Sequence, residues 1–343
     1  MDTNLDIQIE EALKAYRASG VEDQVDYQKF YLYSIVTHST AIEGSTVTEI
    51  ENQLLFDEGI AAKGRSLTEQ MMNVDLKDAY LYAFKIATEN PTYTPPLLQQ
   101  LSALVMRRTG SEYSTIAGHF DSSKGDFRLC NVSAGIGGRS YLAYNKVSQA
   151  VENFCSWLNE EILKVDKEDI AACYRLSFEA HFRLVTIHPW VDGNGRTTRL
   201  VMNMIQRQLG LVPSIVRKED KGEYIQSLVE SRENDDSTIT QDVMLRHHIA
   251  NLSRRVLQYQ GNDGVNINND GVKDKDDGVK HLNKTLQRIY QAIINNPEIK
   301  STELMESIGV SESTVTRSTR ALKKLGYITR DGSDKTGRWV ILK

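Results

Sequence analysis

The sequence has little cysteine and no long apolar run, and each shortage excludes a class of protein. The three cysteines, Cys130, Cys155 and Cys173, are odd in number and widely spaced, which argues against a disulfide framework and against a cysteine-rich zinc site. No run of about 18 apolar residues occurs, so a membrane-spanning helix is excluded. The first ten residues are acidic and polar, unlike a signal peptide. Together these features predict a cytoplasmic protein with no membrane partner.

The composition that is present has the ordinary balance of a globular protein. Of the 343 residues, 40% are hydrophobic and 25% are charged, which is enough for a sizeable core and excludes general disorder. The formal net charge is −5, but residues 281–343 hold 11 Lys and Arg against 6 Asp and Glu, a net of +5 that leaves −10 for the rest. The basic end points to a polyanionic partner for that part only, and an ordinary solvated surface is the alternative.

A polar segment divides the chain into two parts. Residues 260–280 read QGNDGVNINNDGVKDKDDGVK, which contains no aromatic residue and is typical of a flexible tether. We therefore expect one domain over residues 1–260, a flexible linker over 261–280 and a second domain over 281–343. Helical periodicity dominates the first domain. The predicted helices cover residues 27–43, 66–87, 94–108, 145–163, 167–185, 200–209, 224–230 and 237–260.

One stretch of the first domain has a different pattern. Residues 125–144 read GDFRLCNVSAGIGGRSYLAY, with three glycines between short apolar segments, which predicts a β-hairpin with a glycine-rich tip. A lone hairpin in a helical body is only marginally stable, so we expect it to lie across a functional surface. A purely structural hairpin is the alternative.

The second domain resembles the winged-helix group. Residues 282–294, 301–308 and 312–325 predict three helices, and residues 327–330 and 338–342 predict the two strands of a wing. In that arrangement the third helix enters the major groove of DNA. Three of its side chains would then face base edges or phosphates, namely Thr316, Arg317 and Arg320. A protein-binding role is the alternative, because winged helices also mediate protein contacts.

The most informative stretch is residues 188–199, which read HPWVDGNGRTTR between two apolar helices. Two glycines at 193 and 195 permit a tight turn, whose backbone N–H groups and following helix dipole form an anion cradle. Arg196 and Arg199 lie on one helix face and offer two guanidinium groups to phosphate oxygens. Asp192 can hold a magnesium ion that bridges phosphates, and neutral His188 can accept a proton from a hydroxyl nucleophile. The pattern predicts a phosphoryl- or nucleotidyl-transfer site.

This stretch resembles the HPFxxGNGRxxR motif of the Fic family, with Trp190 where phenylalanine is usual. The resemblance covers roughly residues 27–260 and implies a mainly α fold, a Fic-like helical bundle with a β-hairpin flap. It also implies transfer of AMP from ATP to a hydroxyl side chain of a target protein. In that activity His188 deprotonates the target hydroxyl, Asp192 helps to hold Mg²⁺, and residues 128–142 form the flap that aligns the target segment. The implied phosphate-binding residues are Gly193, Asn194, Gly195, Arg196 and Arg199.

A second motif supports the family. Residues 39–44 read STAIEG and match the family's inhibitory pattern (S/T)xxxE(G/N) within a helix expected over about 27–44. Ser39 and Glu43 stand four residues apart and share a helix face. In relatives of this layout the glutamate pairs with the second arginine of the motif, here Arg199, which blocks productive binding of the γ-phosphate. The resemblance therefore implies autoinhibition, and an exposed surface glutamate is the alternative.

Three functional hypotheses stay open at this point. The first is an autoinhibited protein adenylyltransferase. The second is removal of AMP from a target, or use of another nucleotide or phosphate donor, in the same pocket. The third is a DNA-binding regulator whose nucleotide site only senses its ligand, although His188 argues against this because phosphate binding requires no base there. A homodimer is expected by analogy with the family alone.

Overall fold

The computed structural model describes residues 3–134 and 140–261, and in the C-terminal part residues 289–290, 292–294, 296–308, 312–324, 327–331 and 338–341. The chain divides into two compact units, with the division between Asn268 and Asn269. The linker predicted over residues 261–280 lies outside the described residues except for Gly261, so the predicted domain limits stay predictions.

The first unit is helical. Its helices are α1 (Thr3–Ala18), α2 (Tyr27–Ile42), α3 (Glu49–Glu58), α4 (Leu67–Ala87), α5 (Pro95–Val105), α6 (Val147–Lys164), α7 (Ile170–Ile187), α8 (Asn194–Gln208), α9 (Lys221–Asn234) and α10 (Thr238–Gly261). Every helix predicted above for this part is present, and α1 and α3 are additions to those predictions. Within the described residues, no helix combines the length and the apolar character that crossing a bilayer requires. The cytoplasmic location stays a prediction from composition.

Local signals in the sequence explain where several helices begin. At the start of α4 the Ser66 side chain accepts a hydrogen bond from the Glu69 N–H, and the Glu69 carboxylate accepts one from the Ser66 N–H. The same reciprocal capping box opens α3 at Thr48 and Glu51. Thr94 caps α5, which has proline in its first turn. These caps satisfy N–H groups that have no partner within the helix.

Helix α8 lies at the centre of the first unit. It packs against α4, α5 and α7, and its apolar side chains, such as Leu200, Val201 and Met204, are buried. A helix buried on all sides cannot shift without disturbing the core around it, because protein interiors are close-packed. The N-terminus of α8, where the sequence predicts the phosphate cradle, therefore has a fixed position.

Buried hydrogen bonds join the C-terminal half of α2 to α3 and α4. The Thr40 hydroxyl donates to Asn73 Oδ1 over 2.7 Å, and Asn52 Nδ2 donates to Thr37 Oγ1 over 2.7 Å and to Asn73 Oδ1 over 2.9 Å. Asn73 Nδ2 in turn donates to the hydroxyl of Ser45. We call these five residues the α2 anchor. Removing the partner of a buried polar group costs stability. The anchor therefore fixes the helix that carries the STAIEG motif.

Two short β structures interrupt the helices. Strands β1 (Glu112–Thr115) and β2 (Gly118–Asp121) form an antiparallel hairpin that the sequence analysis did not predict. In the segment 125–144, where a hairpin was predicted, one bridge joins Ser133 to Ser140. Its glycine-rich tip, residues 135–139, lies outside the described residues. In the described residues of the predicted flap, this bridge is the strand pairing that the structure shows, while the longer ladder of β1 and β2 precedes it in the chain.

The second unit has the elements of a winged helix. Helices α11 (Ser301–Ile308) and α12 (Glu312–Lys324) are followed by the antiparallel strands β3 (Ile328–Asp331) and β4 (Arg338–Ile341). Their apolar core includes Leu304, Val315, Leu322 and Trp339. The turn predicted over residues 309–311 and the start of the helix predicted over 282–294 lie outside the described residues. The mainly α fold with a small C-terminal winged helix is confirmed.

Candidate active site

The turn between α7 and α8 is closed by two side chains. Asn194 accepts a hydrogen bond from the Trp190 N–H over 3.1 Å and donates one to the Trp190 carbonyl over 2.8 Å. The indole of Trp190 is fully buried, and its Nε1 donates to the carbonyl of Gly125. Because the Asn194 side chain is buried and both of its polar atoms bond to the turn, it holds the two ends of the turn together. The turn is therefore rigid before any ligand arrives.

Both glycines of the turn are required, for different reasons. Gly193 has φ +77°, and a Cβ atom there would lie 2.6 Å from the sulfur of Met106. At Gly195 a Cβ atom would lie 2.2 Å from Oε1 of Glu43 and 2.9 Å from a terminal nitrogen of Arg199. Gly193 thus permits the left-handed backbone, whereas Gly195 leaves room for a carboxylate against the first turn of α8.

The guanidinium of Arg196 is buried, and it makes fewer hydrogen bonds than its N–H groups can donate. Its side chain is 4% exposed, and one terminal nitrogen lies 3.3 Å from the sulfur of Met106 and 3.6 Å from a carboxylate oxygen of Asp192. Its Nε and other terminal nitrogen have no hydrogen-bond partner among the described residues. Burial lowers the pKa of this guanidinium, because the charged form loses its contact with water. A buried cation with free donors beside a helix N-terminus is suited to an anion such as phosphate.

The second arginine of the motif is fully engaged. Arg199 donates from Nε to the Ser39 hydroxyl and from a terminal nitrogen to the Ser39 carbonyl, both over 2.9 Å. The same terminal nitrogen lies 2.6 Å from Oε1 of Glu43, the residue that follows α2. Burial raises the pKa of Glu43, but the charge and hydrogen bond of Arg199 outweigh burial and leave the pKa below its ordinary value. The carboxyl group therefore stays ionised at neutral pH. Glu43 and Ser39 lie 156 and 160 positions before Arg199 in the chain, and the structure brings both of them into contact with it.

His188 ends α7 in a left-handed conformation, with φ 53°. Its Nδ1 lies 3.3 Å from the carbonyl oxygen of Val185, which places the ring proton on Nδ1 and leaves Nε2 as an acceptor. Burial lowers the pKa of His188 to about 4, the nearby Val185 carbonyl opposes this, and the charges of Arg128 and Arg232 lower it further. The imidazole is therefore neutral at pH 7, as a general base must be.

Asp192 is the acidic residue of the turn. Its side chain is 62% exposed, and its Oδ1 accepts a hydrogen bond of 2.5 Å from the Gly193 N–H. Across the described ranges no group of three or more His, Cys, Asp and Glu side chains could hold a metal ion. Magnesium binds in many enzymes through one or two carboxylates, substrate phosphates and water, so a single aspartate is compatible with that ion.

The sequence profile of the Fic/DOC family matches residues 92–206, which include the turn and both arginines. The chain contains a Fic domain. A second family, winged helix-turn-helix DNA-binding, matches residues 282–329. The range matched by the Fic/DOC family therefore contains His188, Asp192, Arg196 and Arg199.

Curated relatives carry the same domain. The chain is 29% identical over 204 residues to "Protein adenylyltransferase Fic" of Drosophila grimshawi, covering 58% of this chain and 38% of that protein. It is 27% identical over 230 residues to the protein of the same name from Drosophila erecta, covering 66% of this chain and 42% of that protein. The chain therefore spans about two fifths of the length of these relatives.

Solved structures show the same fold. A Fic domain containing signaling protein from Bacteroides thetaiotaomicron has a TM-score of 0.60 at 18% identity, covering 74% of this chain and 97% of that one. A Fic family protein from Desulfovibrio desulfuricans G20 has a TM-score of 0.60 at 19% identity, covering 99% of this chain and 95% of that one. The Fic fold of the first unit is confirmed.

One residue important to the geometry of the Fic domain was missed by the sequence analysis. Arg128 is fully buried, and its Nε donates to the carbonyl of His188 over 2.8 Å. Its two terminal nitrogens donate to the carbonyls of Cys130 and Leu142, one from each arm of the predicted flap. Arg128 therefore joins both arms of the flap to the main chain of the candidate base. An arginine in a short apolar segment carries no pattern from which this role could be read.

The predicted DNA-facing residues lie on α12 of the winged helix. Thr316 and Arg320 are exposed there. Arg317 lies in the same helix, and its side chain is outside the described set. Lys323 and Arg330 stand over the ring of Trp339, at 5.4 and 4.4 Å from its centroid. The helix thus offers exposed polar and basic groups, as an element that enters a DNA groove does.

Proposed function

We propose that this Fic domain is an autoinhibited protein adenylyltransferase, which transfers AMP from ATP to a hydroxyl side chain of a target protein. The observation that carries the proposal is the buried, incompletely partnered guanidinium of Arg196 at one end of a rigid turn that has a neutral His188 at its other end. Binding phosphate alone requires no imidazole base. The pairing of an anion cradle with such a base favours transfer to a hydroxyl group.

In the proposed reaction, Nε2 of His188 takes the proton of the target hydroxyl as its oxygen attacks the α-phosphorus of ATP. The bond from the α-phosphorus to the oxygen shared with the β-phosphate breaks, and pyrophosphate leaves. Arg196 and the first N–H groups of α8 hold the phosphates and stabilise their charge. Arg199 supplies a second guanidinium once it is released. Asp192 would hold Mg²⁺, which would supply neutralisation of the phosphate charge.

The contact between Glu43 and Arg199 supports the autoinhibited state. The carboxylate lies against the first turn of α8, where a Cβ on Gly195 would come within 2.2 Å of it. Its negative charge repels phosphates from the helix N-terminus, and its hydrogen bond occupies the arginine that they need. The hydroxyl and the carbonyl of Ser39 accept hydrogen bonds from the same guanidinium. We infer that ATP binds weakly or unproductively until Glu43 moves.

Mass spectrometry of the Glu43→Gly protein mixed with ATP, magnesium and host lysate tests the proposal. We expect a target that gains AMP on a Ser, Thr or Tyr side chain, and we expect the product to vanish in the Glu43→Gly, His188→Ala double variant. Labelled ATP separates transfer of AMP from transfer of phosphate. A label that enters protein equally with and without His188 contradicts the proposed chemistry.

Removal of AMP from a modified target is the second candidate for the same pocket. The Glu43 side chain is 34% exposed, so an ionised carboxylate beside the phosphate-binding helix also contacts solvent. A carboxylate in that position can orient a water molecule for attack on a phosphorus atom. Wild-type protein incubated with an adenylylated target and Mg²⁺ would then release AMP, and the Glu43→Gly protein would not.

We also propose that the winged helix binds DNA. Its family match, the net charge of +5 over residues 281–343 and the exposed Arg320 support this. Fluorescence anisotropy of labelled DNA at two salt concentrations tests it, because phosphate contacts weaken as salt rises. Binding that is absent at low salt would favour a protein partner instead. The homodimer expected by family analogy is checked by light scattering in the same buffers.

A further inference from the structure

An aromatic stack covers the candidate base. The ring of Tyr141 lies on the imidazole of His188, with 3.8 Å between the ring centroids and 16° between the planes. The guanidinium of Arg232, from α9, lies over the Tyr141 ring, 5.4 Å from the centroid of that ring. The three groups come from separate elements: the predicted flap, the end of α7 and α9.

The same tyrosine belongs to the pairing that closes the flap. Its N–H donates to the carbonyl of Val132 over 3.0 Å, next to the bridge between Ser133 and Ser140. The returning arm of the flap therefore carries the ring that lies on His188. A change in the position of this arm must move the ring as well.

The stack restricts how the imidazole can turn. The flat ring of Tyr141, in van der Waals contact with the imidazole, prevents the imidazole from rotating about its Cβ–Cγ bond. The carbonyl of Val185 also faces Nδ1 of the imidazole. The main chain of His188 is held by Arg128. Side chain and main chain of the base are therefore positioned by the same segment, and Nε2 is the nitrogen left for the acceptor.

We propose that Tyr141 is a positioning residue that holds the His188 imidazole in the orientation and tautomer required for proton transfer, and that it thereby links the flap to the base. This inference rests on the proposed function. Arg232 supports Tyr141 through a cation–π contact. Among the described contacts Tyr141 touches neither Arg196 nor Arg199, so its effect falls on the proton-transfer step and not on ATP binding.

The charged groups around His188 set the expected pH dependence. Arg128 from the flap, Arg232 from α9 and Glu43 after α2 all act on the imidazole, and the first two favour its neutral form. Burial is the largest cause of the lowered pKa, and the Tyr141 ring provides part of that cover. Removing the ring exposes the imidazole, so its pKa rises from about 4 toward the ordinary value of about 6.5.

The test uses the full chain with Glu43→Gly as the parent and compares Tyr141→Phe, Tyr141→Leu and Tyr141→Ala. We expect Phe to retain the parent rate, Ala to lower kcat about tenfold or more at about pH 8, and Leu to fall between them. The KM for ATP should stay at the parent value in all three. The acid limb of kcat should move to higher pH in Tyr141→Ala. Tyr144→Ala, a neighbouring tyrosine without a ring contact to His188, is the matched control.

NMR titration of His188 in the same variants gives a readout that does not depend on turnover. The imidazole pKa should be unchanged in Tyr141→Phe and raised in Tyr141→Ala. An active parent whose Tyr141→Ala variant keeps its kcat and its pH profile overturns the positioning role. A folded parent without AMP transfer overturns the proposed function. Equal losses in Tyr141→Phe and Tyr141→Ala would show that the hydroxyl matters and not the ring, which also contradicts the inference.

Discussion

Replacing Glu43 by glycine gives the sharpest test of the proposed inhibition. The substitution removes the carboxylate that lies 2.6 Å from Arg199 and leaves the two bonds from Arg199 to Ser39 in place. Arg199 is 3% exposed, so its pairing with Glu43 is poorly screened by water, although Glu43 itself is 34% exposed. A hydrogen bond between charged groups contributes about 1.5–3 kcal/mol. If ATP must displace it, the variant should gain about 10- to 150-fold in kcat/KM for ATP.

Two further variants separate charge from shape. Glu43→Gln keeps the size of the side chain and removes its charge, so it should show most of the gain. Glu89→Gly changes an exposed glutamate just beyond the end of α4, away from the motif, and should behave as the wild type. Incorporation of labelled AMP gives the rates, and calorimetric titration with ATP gives the affinities.

The direction of the Glu43 pKa adds a prediction about pH. Because the pKa of Glu43 is lowered, the stabilisation from its pair with Arg199 is present above the unfolded pKa and is lost only as pH falls through the folded one. Mild acid should therefore leave the wild type inhibited. Equal rates and equal ATP affinities for wild type and Glu43→Gly would refute the whole line of reasoning, and so would a Glu43→Gln protein as inactive as wild type.

Three other substitutions give distinct outcomes. Arg196→Met should abolish AMP transfer while leaving the melting temperature equal or higher, because it removes a buried cation with two unpartnered nitrogens; calorimetry showing a clear loss of stability would contradict this. Trp190→Phe should keep activity but lose the indole bond to Gly125, which costs about 1 kcal/mol in the free energy of unfolding by urea titration. Arg128→Met leaves three main-chain carbonyls without their donor, so kcat should fall while the affinity for ATP stays constant, and an unchanged kcat would show that the flap needs no such anchor.

Much of the candidate site was predictable because it is local in sequence. The turn, the helix start at Asn194 and the two arginines all fall within twelve consecutive residues, so their order along the chain determines how they lie together. The contact between Glu43 and Arg199 spans 156 positions, and no periodicity predicts a pair so far apart. The family pattern supplied it.

The features that were missed have physical reasons. Helix α1 buries Leu5, Ile9, Leu13 and Tyr16 at helical spacing, but the polar and acidic residues between them obscure this pattern in the sequence. The hairpin of β1 and β2 has strands of four residues each, too short for a clear alternation. Arg128 is invisible in the sequence because its three acceptors are carbonyls, which every residue has.

The α2 anchor bears on how such a protein can change over generations. Since Thr40, Asn52 and Asn73 hold the helix within the core, releasing the arginine by detaching the whole helix would break buried hydrogen bonds. Glu43, which follows the helix, is not part of the α2 anchor and can be replaced without breaking those bonds. A glutamate codon becomes a glycine codon by one nucleotide change, so under the proposed inhibition a single point mutation at position 43 separates a silent form from an active one, on an unaltered scaffold.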